Sequence, residues 1–333
     1  VTGVPMEPRA AVGVYDEDTG RYTLYAGGGA VVRPKNELAG ILGVEPDMVR
    51  VVAKDVGGNF GTRNSFFPEF AMMPWAAKRL GRPVKWTADR SEAFLSDYQG
   101  RDLHVEAELA LDRDGNFIAM RGSNVSNIGA HTVSVVPLTK GVEIMCGPYR
   151  IPAIYFRARG VHSNTPPTNP YRSAGRPEVI FVMERMVDLA ARECGFDPIQ
   201  LRRRNMIKPD EMPYDNKLGM TYDSGTYEAA MDQCFGISDL DGFAARKADS
   251  AKRSLKRGLG ISAYMETSTG APRERTEMTV RPDGEIDVII GTLSAGQGHE
   301  TSFAQLLTEW LDVPIDCVNL ITGDTDIVSV GGG

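Results

Sequence analysis

Cysteine and histidine are scarce in this sequence: four of each occur among 333 residues. Cys146, Cys194, Cys234 and Cys317 stand too far apart for a CxxC pair, and His104, His131, His162 and His299 show no HExxH-like spacing. That argues against a zinc or iron–sulfur centre made by this chain alone. Reduced thiols in a cytoplasmic protein are the simpler reading, with the periplasm as the alternative. No apolar run reaches the ~18 residues of a transmembrane helix, and no signal peptide is visible. Basic charge is not in excess either. Lys and Arg number 37 against 44 Asp and Glu, a net charge of −7, so the positive field that attracts nucleic acid is missing. The run "RRR" at 202–204 is the one basic cluster, and it reads as a solvated or carboxylate-paired helix face. The GxxxxGK[ST] phosphate loop is absent, and no GxGxxG follows a strand.

What is present suits a folded enzyme. The chain is 42% hydrophobic and 24% charged, and long enough for about two domains. Residues 20–25 ("GRYTLY") alternate like a strand. The segment 33–43 predicts a short helix, with Pro34 near its start and Gly43 past its end. "MVRVVAKDV" at 48–56 is β-branched and strand-like. Residues 66–80 predict a helix with Pro68 in its first turn, a kink at Pro74 and Gly81 closing it. "VKWTADR" reads as a strand. "DLHVEAELALDRDGNFIAMRGS" reads as a hairpin with Leu103, Val105, Ala107, Leu109 and Leu111 alternating along its first strand.

The clearest helix covers 176–194, with Ile180, Met183, Val187, Ala190, Ala191 and Cys194 on one stripe and Gly195 at its end. Asp197 and Pro198 open another. Residues 208–257 are polar and carry two surface helices. A second hairpin spans 276–292, followed by "LSAGQGHE", a helix "TSFAQLLTEWLDV" and a strand "CVNLITG". The pattern predicts an α+β fold, with mixed sheets and helices that follow glycine-rich loops.

Three loops carry the chemistry. "GGNFGTRN" (57–64) and "LSAGQGHE" (293–300) each join a strand to a helix. Glycine there lets a ligand approach the backbone, and the helix start supplies N–H donors for phosphate. In "YRSAGR" (171–176), Arg172 and Arg176 flank small residues at the head of a helix, a pattern that attracts an anion. One glycine-rich turn is commonly only a turn. Three anion-friendly loops together suit a long ligand with phosphates and a polar ring system.

"DVGGNFGTRN", "RPVKWTADRSEAFLSDYQGRDLHVEAELALDRDG", "NPYRSAGRPE", "LRRRNMI" and "GTLSAGQGHET" together resemble the molybdopterin-binding large subunit of the xanthine dehydrogenase/aldehyde oxidase family, the molybdenum hydroxylases. The resemblance covers nearly the whole chain, in the family's order. It implies a molybdenum–molybdopterin cofactor in the cytosine dinucleotide form. It implies two molybdenum-cofactor-binding domains, the first at 1–210 and the truncated start of the second at 258–333, joined by a helical segment at 211–257. Gly57, Gly58, Phe60, Gly61, Arg172, Gly296, Gln297 and Gly298 match its cofactor-binding positions, and Asn64, Ser173 and Ala174 its substrate pocket. The implied reaction is hydroxylation of an electron-poor C–H with water as oxygen donor. Electrons would then leave through an iron–sulfur subunit and an FAD subunit on separate chains, because cluster cysteines and a flavin motif are absent here.

The sequence departs from that family's pattern in ways that bear on substrate. Gly28 or Gly29 stands where many members carry a Gln facing the metal. Asn64 replaces the Glu of purine-oxidising members, and Ala174 replaces their stacking aromatic. Ser173 replaces the Cys that holds copper in carbon monoxide-oxidising members. Aldehydes or N-heteroaromatics therefore suit better than purines or carbon monoxide. The family's catalytic glutamate is expected beyond Gly333, with no catalytic residue in this stretch. Glu266 and Glu274 read as loop-bracing acids. Val1 in place of Met and the terminal "VGGG" suggest a fragment lacking both ends, inactive alone. Two alternatives stay open: a degenerate homologue that binds cofactor or partner without turnover, and a plain nucleotide-phosphate-binding protein.

Overall fold

The computed structural model describes residues 2–267 and 274–331. They form two compact units. Unit 1 comprises Val1–Gly100, Asn169–Arg172 and Ser268–Gly333; unit 2 comprises Arg101–Thr168 and Ser173–Thr267.

Unit 1 begins with strands β1 (Ala10–Tyr15) and β2 (Tyr22–Ala26), helix α1 (Val32–Leu42), strand β3 (Val49–Val52), helix α2 (Pro68–Leu80), strand β4 (Val84–Thr87) and helix α3 (Arg90–Ser96). The strands form one sheet in the order β3-β2-β1-β4. β1 is antiparallel to β2 and β4, and β2 is parallel to β3. Gly43 and Gly81 end α1 and α2 in left-handed conformation, as the sequence predicts. α2 continues through Pro74 and lies on the sheet at Gly13, where a Cβ would stand 2.2 Å from Met73 C and Pro74 N. Glycine is therefore required on β1 for the helix backbone to reach it. Leu24, Leu38, Val49, Val51, Phe67 and Phe70 fill the core. Arg9 is buried among them because it is neutralised. Its guanidinium meets Asp97 at 2.7 Å and Glu69 at 2.8 Å, and lies 4.2 Å from the Phe67 ring centroid.

Unit 2 contains β5 (Leu103–Leu111), β6 (Phe117–Asn127), α4 (Val136–Val142), β7 (Ala153–Val161), α5 (Arg176–Cys194), α6 (Pro198–Asn205), β8 (Tyr214–Asp215), β9 (Thr221–Tyr222), α7 (Tyr227–Ile237) and α8 (Phe243–Lys252). β5 and β6 are the expected hairpin, with a bulge at Ala110/Leu111, and β7 adds parallel to β6. Phe117, Met120, Val179, Met183, Val187, Ala191, Leu201 and Met206 form its core. The buried stripe of α5 is thus Val179, Met183, Val187 and Ala191. Cys194 is exposed, against the sequence reading, because the stripe has turned away by the last turn. Glu184 lies on the buried face, held by Arg202 at 2.9 Å. Arg202 is fully buried against Glu184 and Asp188, and Arg203 pairs with Asp232, so these two members of the basic run are carboxylate-paired. Asp197 caps α6 by accepting from Ile199 N and Gln200 N.

The chain returns to unit 1 with β10 (Thr276–Val280), β11 (Ile286–Ile290), α9 (His299–Leu311) and β12 (Val318–Ile321). β10 and β11 are the second hairpin, and β12 runs parallel to β11. The turn after β12 docks on the end of β3: Ala53 N donates to Gly323 O at 2.8 Å, and Val51 N donates to the Thr325 hydroxyl at 2.9 Å. Arg50 clamps this turn through Asp324 at 2.5 Å.

Candidate functional site

Both strand–loop–helix motifs belong to unit 1, and the docking of 323–325 on β3 brings them together. A cleft of ≈ 450 Å³ is lined by Ala53, Lys54, Asp55 and Val56 from the first, and by Leu293, Ser294, Gly296, Gly298 and Glu300 from the second. Gly296 and Gly298 have φ of 112° and 74°, which disfavours any side chain, and a Cβ on either would meet nothing within 4 Å. Gly298 is the N-cap of α9, so the first N–H groups of that helix begin beside the cleft. Gln297 turns its amide oxygen back to Ala295 N, bracing the loop. Lys54 is the one cation among the cleft residues, against Asp55 and Glu300.

The chain runs on from Val56 at the cleft into the loop 57–64. Gly57 packs on Glu7, where a Cβ would lie 2.3 Å from Glu7 Cβ. Gly58 has φ of 106°; Gly61 has φ of 86° and faces Pro170 O at 2.7 Å from a Cβ position. Phe60 takes a left-handed φ of 54° with its side chain largely exposed, a strained combination for an aromatic. Its carbonyl accepts from Arg172 N at 2.8 Å. The structure therefore brings Phe60 and Gly61 together with Arg172, and Gly296 and Gly298 together with Asp55 and Val56. Segment 53–61 runs from one group to the other.

Asn169 was not singled out from the sequence, although it sits inside the "NPYRSAGRPE" motif. It is buried and donates to Gly61 O at 3.3 Å and Thr62 O at 3.2 Å, while its own oxygen accepts from the Ser65 hydroxyl. It joins Asn64 N on the Gly61 carbonyl and supplies a donor to the Thr62 carbonyl, tying the loop to residue 169.

Asn64 accepts from Asn59 Nδ2 at 2.7 Å. This amide pair covers Gly29: a Cβ there would lie 2.0 Å from Asn64 Oδ1 and 2.3 Å from Asn59 Nδ2. A longer residue at 29 therefore requires Asn64 to move. In unit 2, Ser173 and Ala174 have φ of 68° and 29°, between Arg172 at 22° and Gly175 at 88°. Gly175 caps α5 against Pro137 O, 2.1 Å from a Cβ position, so no side chain fits there.

Arg176 is not an open anion trap. It is buried and ion-paired with Glu266, and Glu266 also accepts from Thr267 N at 2.9 Å. Glu274 lies against Gly291, its Oε2 2.6 Å from a Cβ position there. The cysteine in the core is inert: burial pushes the Cys146 thiol up to about 11. Among the described residues no group of three metal-ligating side chains occurs, and no helix is long and apolar enough to cross a membrane.

Two family models, both described as a molybdopterin cofactor-binding domain, match the chain over residues 1–206 and 233–333. The chain is 32% identical to the 6-hydroxypseudooxynicotine dehydrogenase complex subunit gamma of Paenarthrobacter nicotinovorans, over 100% of its own length and 43% of that protein. It is 30% identical to the carbon monoxide dehydrogenase large chain of Hydrogenophaga pseudoflava, over 99% of the chain and 43% of that protein. Among solved structures, quinoline 2-oxidoreductase from Pseudomonas putida 86 superposes with a TM-score of 0.91 at 29% identity, covering 98% of the chain and 44% of that structure. The chain thus spans less than half the length of the relatives it matches.

Proposed function

The chain belongs to the molybdopterin cofactor-binding domain family, and from that premise we propose that it is the cofactor-binding part of a molybdenum hydroxylase large subunit. The proposed reaction is hydroxylation of an N-heteroaromatic or an aldehyde with water as oxygen donor. The proposed cofactor is the cytosine dinucleotide form, and the proposed partners are an iron–sulfur chain and an FAD chain. On this reading residues 1–210 and 258–333 are the two cofactor-binding segments, joined by 211–257; the compact units cut across that division.

One observation carries the proposal: the stretch 53–56 that leads into the first glycine loop and the second glycine loop itself meet on one cleft in unit 1, with Gly296 and Gly298 open and side-chain-free beside the start of α9. An anionic, extended cofactor fits such a wall. Backbone N–H groups at a helix start bind phosphate, and left-handed glycines keep the approach clear. Lys54 adds a cation to the same wall. Gly57, Gly58, Phe60, Gly61 and Arg172 would hold the cofactor on the adjoining loop, with Gln297 at the other. The bound molybdenum supplies the two-electron redox chemistry and the oxygen transfer. Asn64, Ser173 and Ala174 would shape the substrate pocket.

The names of two relatives, a 6-hydroxypseudooxynicotine dehydrogenase and a quinoline 2-oxidoreductase, favour an N-heteroaromatic. Ser173 offers no thiolate to copper, which disfavours carbon monoxide. The test is turnover in ¹⁸O-labelled water. The native enzyme is assayed with a dye acceptor on pyridines, quinolines, aldehydes, purines and carbon monoxide. Product carrying ¹⁸O from a heteroaromatic or aldehyde is expected; oxidation of only purine or carbon monoxide would overturn the substrate assignment.

A further inference from the structure

We propose that Glu7 is a positioning residue of the cofactor site, a single carboxylate that fixes the loop 57–63 against the glycine turn at 27–29. The inference rests on reading the 57–61 loop as cofactor-binding.

Glu7 meets that loop at both ends. Gly57 N donates to Glu7 Oε2 at 2.8 Å, and Glu7 N donates back to Gly57 O at 3.1 Å. Six residues on, the Arg63 guanidinium donates to the Glu7 carbonyl and lies 3.6 Å from its carboxylate. The same carboxylate faces the first glycine turn, 3.2 Å from where a Cβ on Gly27 would sit. Pro5 completes the wall, 3.1 Å from a Cβ position on Gly58.

The chemistry of the site makes this arrangement informative. A carboxylate beside a loop meant for an anion is repulsive unless its charge is committed elsewhere. Glu7 is committed: its charge is spent on Gly57 N–H and on Arg63, whose side chain is only 2% exposed. Arg63 in turn depends on it. Burial lowers the Arg63 pKa, and Asp97 and Glu7 are the acids that offset this, against Arg9 and Arg90. Replacing the Glu7 side chain therefore takes the acceptor from Gly57 N–H at the start of the loop and a countercharge from Arg63 at its end together, while the backbone contacts of residue 7 to Gly57 O and Arg63 stay. Loop order, rather than cofactor contact, is what Glu7 supplies.

The test compares wild type with Glu7→Gln and Glu7→Ala in the native enzyme, using two readouts. The first is molybdenum retained per polypeptide after prolonged dialysis. The second, on cofactor-stripped protein, is the rate of chymotryptic cleavage after the exposed Phe60, which needs no cofactor. Glu7→Ala should lower retention about tenfold, the worth of one charge-assisted hydrogen bond, and should speed cleavage at Phe60. Glu7→Gln keeps an oxygen for Gly57 N–H and loses the charge facing Arg63. It should fold as wild type does and fall between the two in both readouts. Retention and cleavage in both variants equal to wild type would overturn the proposal. Wild type that holds no molybdenum, with cleavage still faster in the variants, would overturn the cofactor reading while leaving the clamp in place. Unchanged cleavage with lost molybdenum would overturn the clamp and place Glu7 in contact with the cofactor instead.

Discussion

Arg202→Met should destabilise the protein by about 3–5 kcal/mol, and by more at pH 8 than at pH 5. Arg202 is fully buried and donates to Glu184 at 3.0 Å, to Asp188 at 2.8 Å and to the carbonyls of Pro198 and Ile261. Methionine keeps most of the volume but strands the Glu184 carboxylate, whose other oxygen accepts from the Tyr149 hydroxyl at 2.5 Å. Burial pushes the Glu184 carboxyl above its ordinary value of 4.5, and the Arg202 charge is the largest influence pulling it back. Without Arg202 it rises further.

A carboxyl with a raised folded pKa holds its proton when folded and sheds it when unfolded. Its contribution is complete below the unfolded value and is lost as pH climbs through the folded one, at up to about 1.4 kcal/mol per pH unit. The window therefore opens near 4.5 and extends upward. The expected fall in Tm is on the order of 10 °C. Calorimetry of the complete polypeptide at pH 5 and pH 8 reads it directly. Arg202→Met combined with Glu184→Gln, which keeps an acceptor for Tyr149, should recover stability at pH 8 and remove the added pH dependence. Equal losses at both pH values, or a double variant weaker than the single one, would refute the reasoning.

Arg172→Ala should lower molybdenum content, because a charge-assisted contact to an anionic group is worth ~1.5–3 kcal/mol; full occupancy would remove Arg172 from the site. Gly61→Ala meets Pro170 O at 2.7 Å in a left-handed conformation that costs an L-residue about 1–2 kcal/mol. Cofactor retention should fall with far-ultraviolet dichroism intact, whereas global unfolding would assign that glycine to backbone geometry alone. Glu266→Gln should lower Tm through its buried partner Arg176 and leave turnover largely in place; abolished turnover in a folded variant would make Glu266 the base. Asn64→Ala breaks the pair with Asn59 and should reorder preference between aldehydes and heteroaromatics. An unchanged order would place Asn64 outside the pocket.

The elements of this fold were largely legible in the sequence, because local signals and tertiary packing agree. Gly43, Gly81 and Gly195 close their helices in left-handed conformation, and Arg176–Cys194 is the helix that its apolar spacing predicts. The exceptions have physical causes. A periodicity count places Cys194 inside and has no place for a charge, yet Glu184 is buried because Arg202 neutralises it from another helix. Arg176 looked like half of an anion trap; its partner Glu266 lies 90 residues away in sequence, and no local pattern announces the pair.

The glycine loops were visible, but not why each glycine is there. Gly57 and Gly61 answer to Glu7 and Pro170, whereas Gly296 and Gly298 face open space. Glu7 belongs to no motif and Asn169 only opens the "NPYRSAGRPE" stretch, and each acts through a hydrogen bond to a loop that is distant in sequence. The compact units are discontinuous along the chain, which a linear reading cannot draw.

The central claim is that this chain holds a molybdenum–pterin cofactor. Metal analysis of the natively purified enzyme, coupled to acid release of the pterin and its nucleotide, tests it most directly. Molybdenum stoichiometric with the polypeptide, a molybdopterin derivative and cytidine monophosphate are expected. A folded, natively assembled protein containing neither molybdenum nor pterin would contradict it.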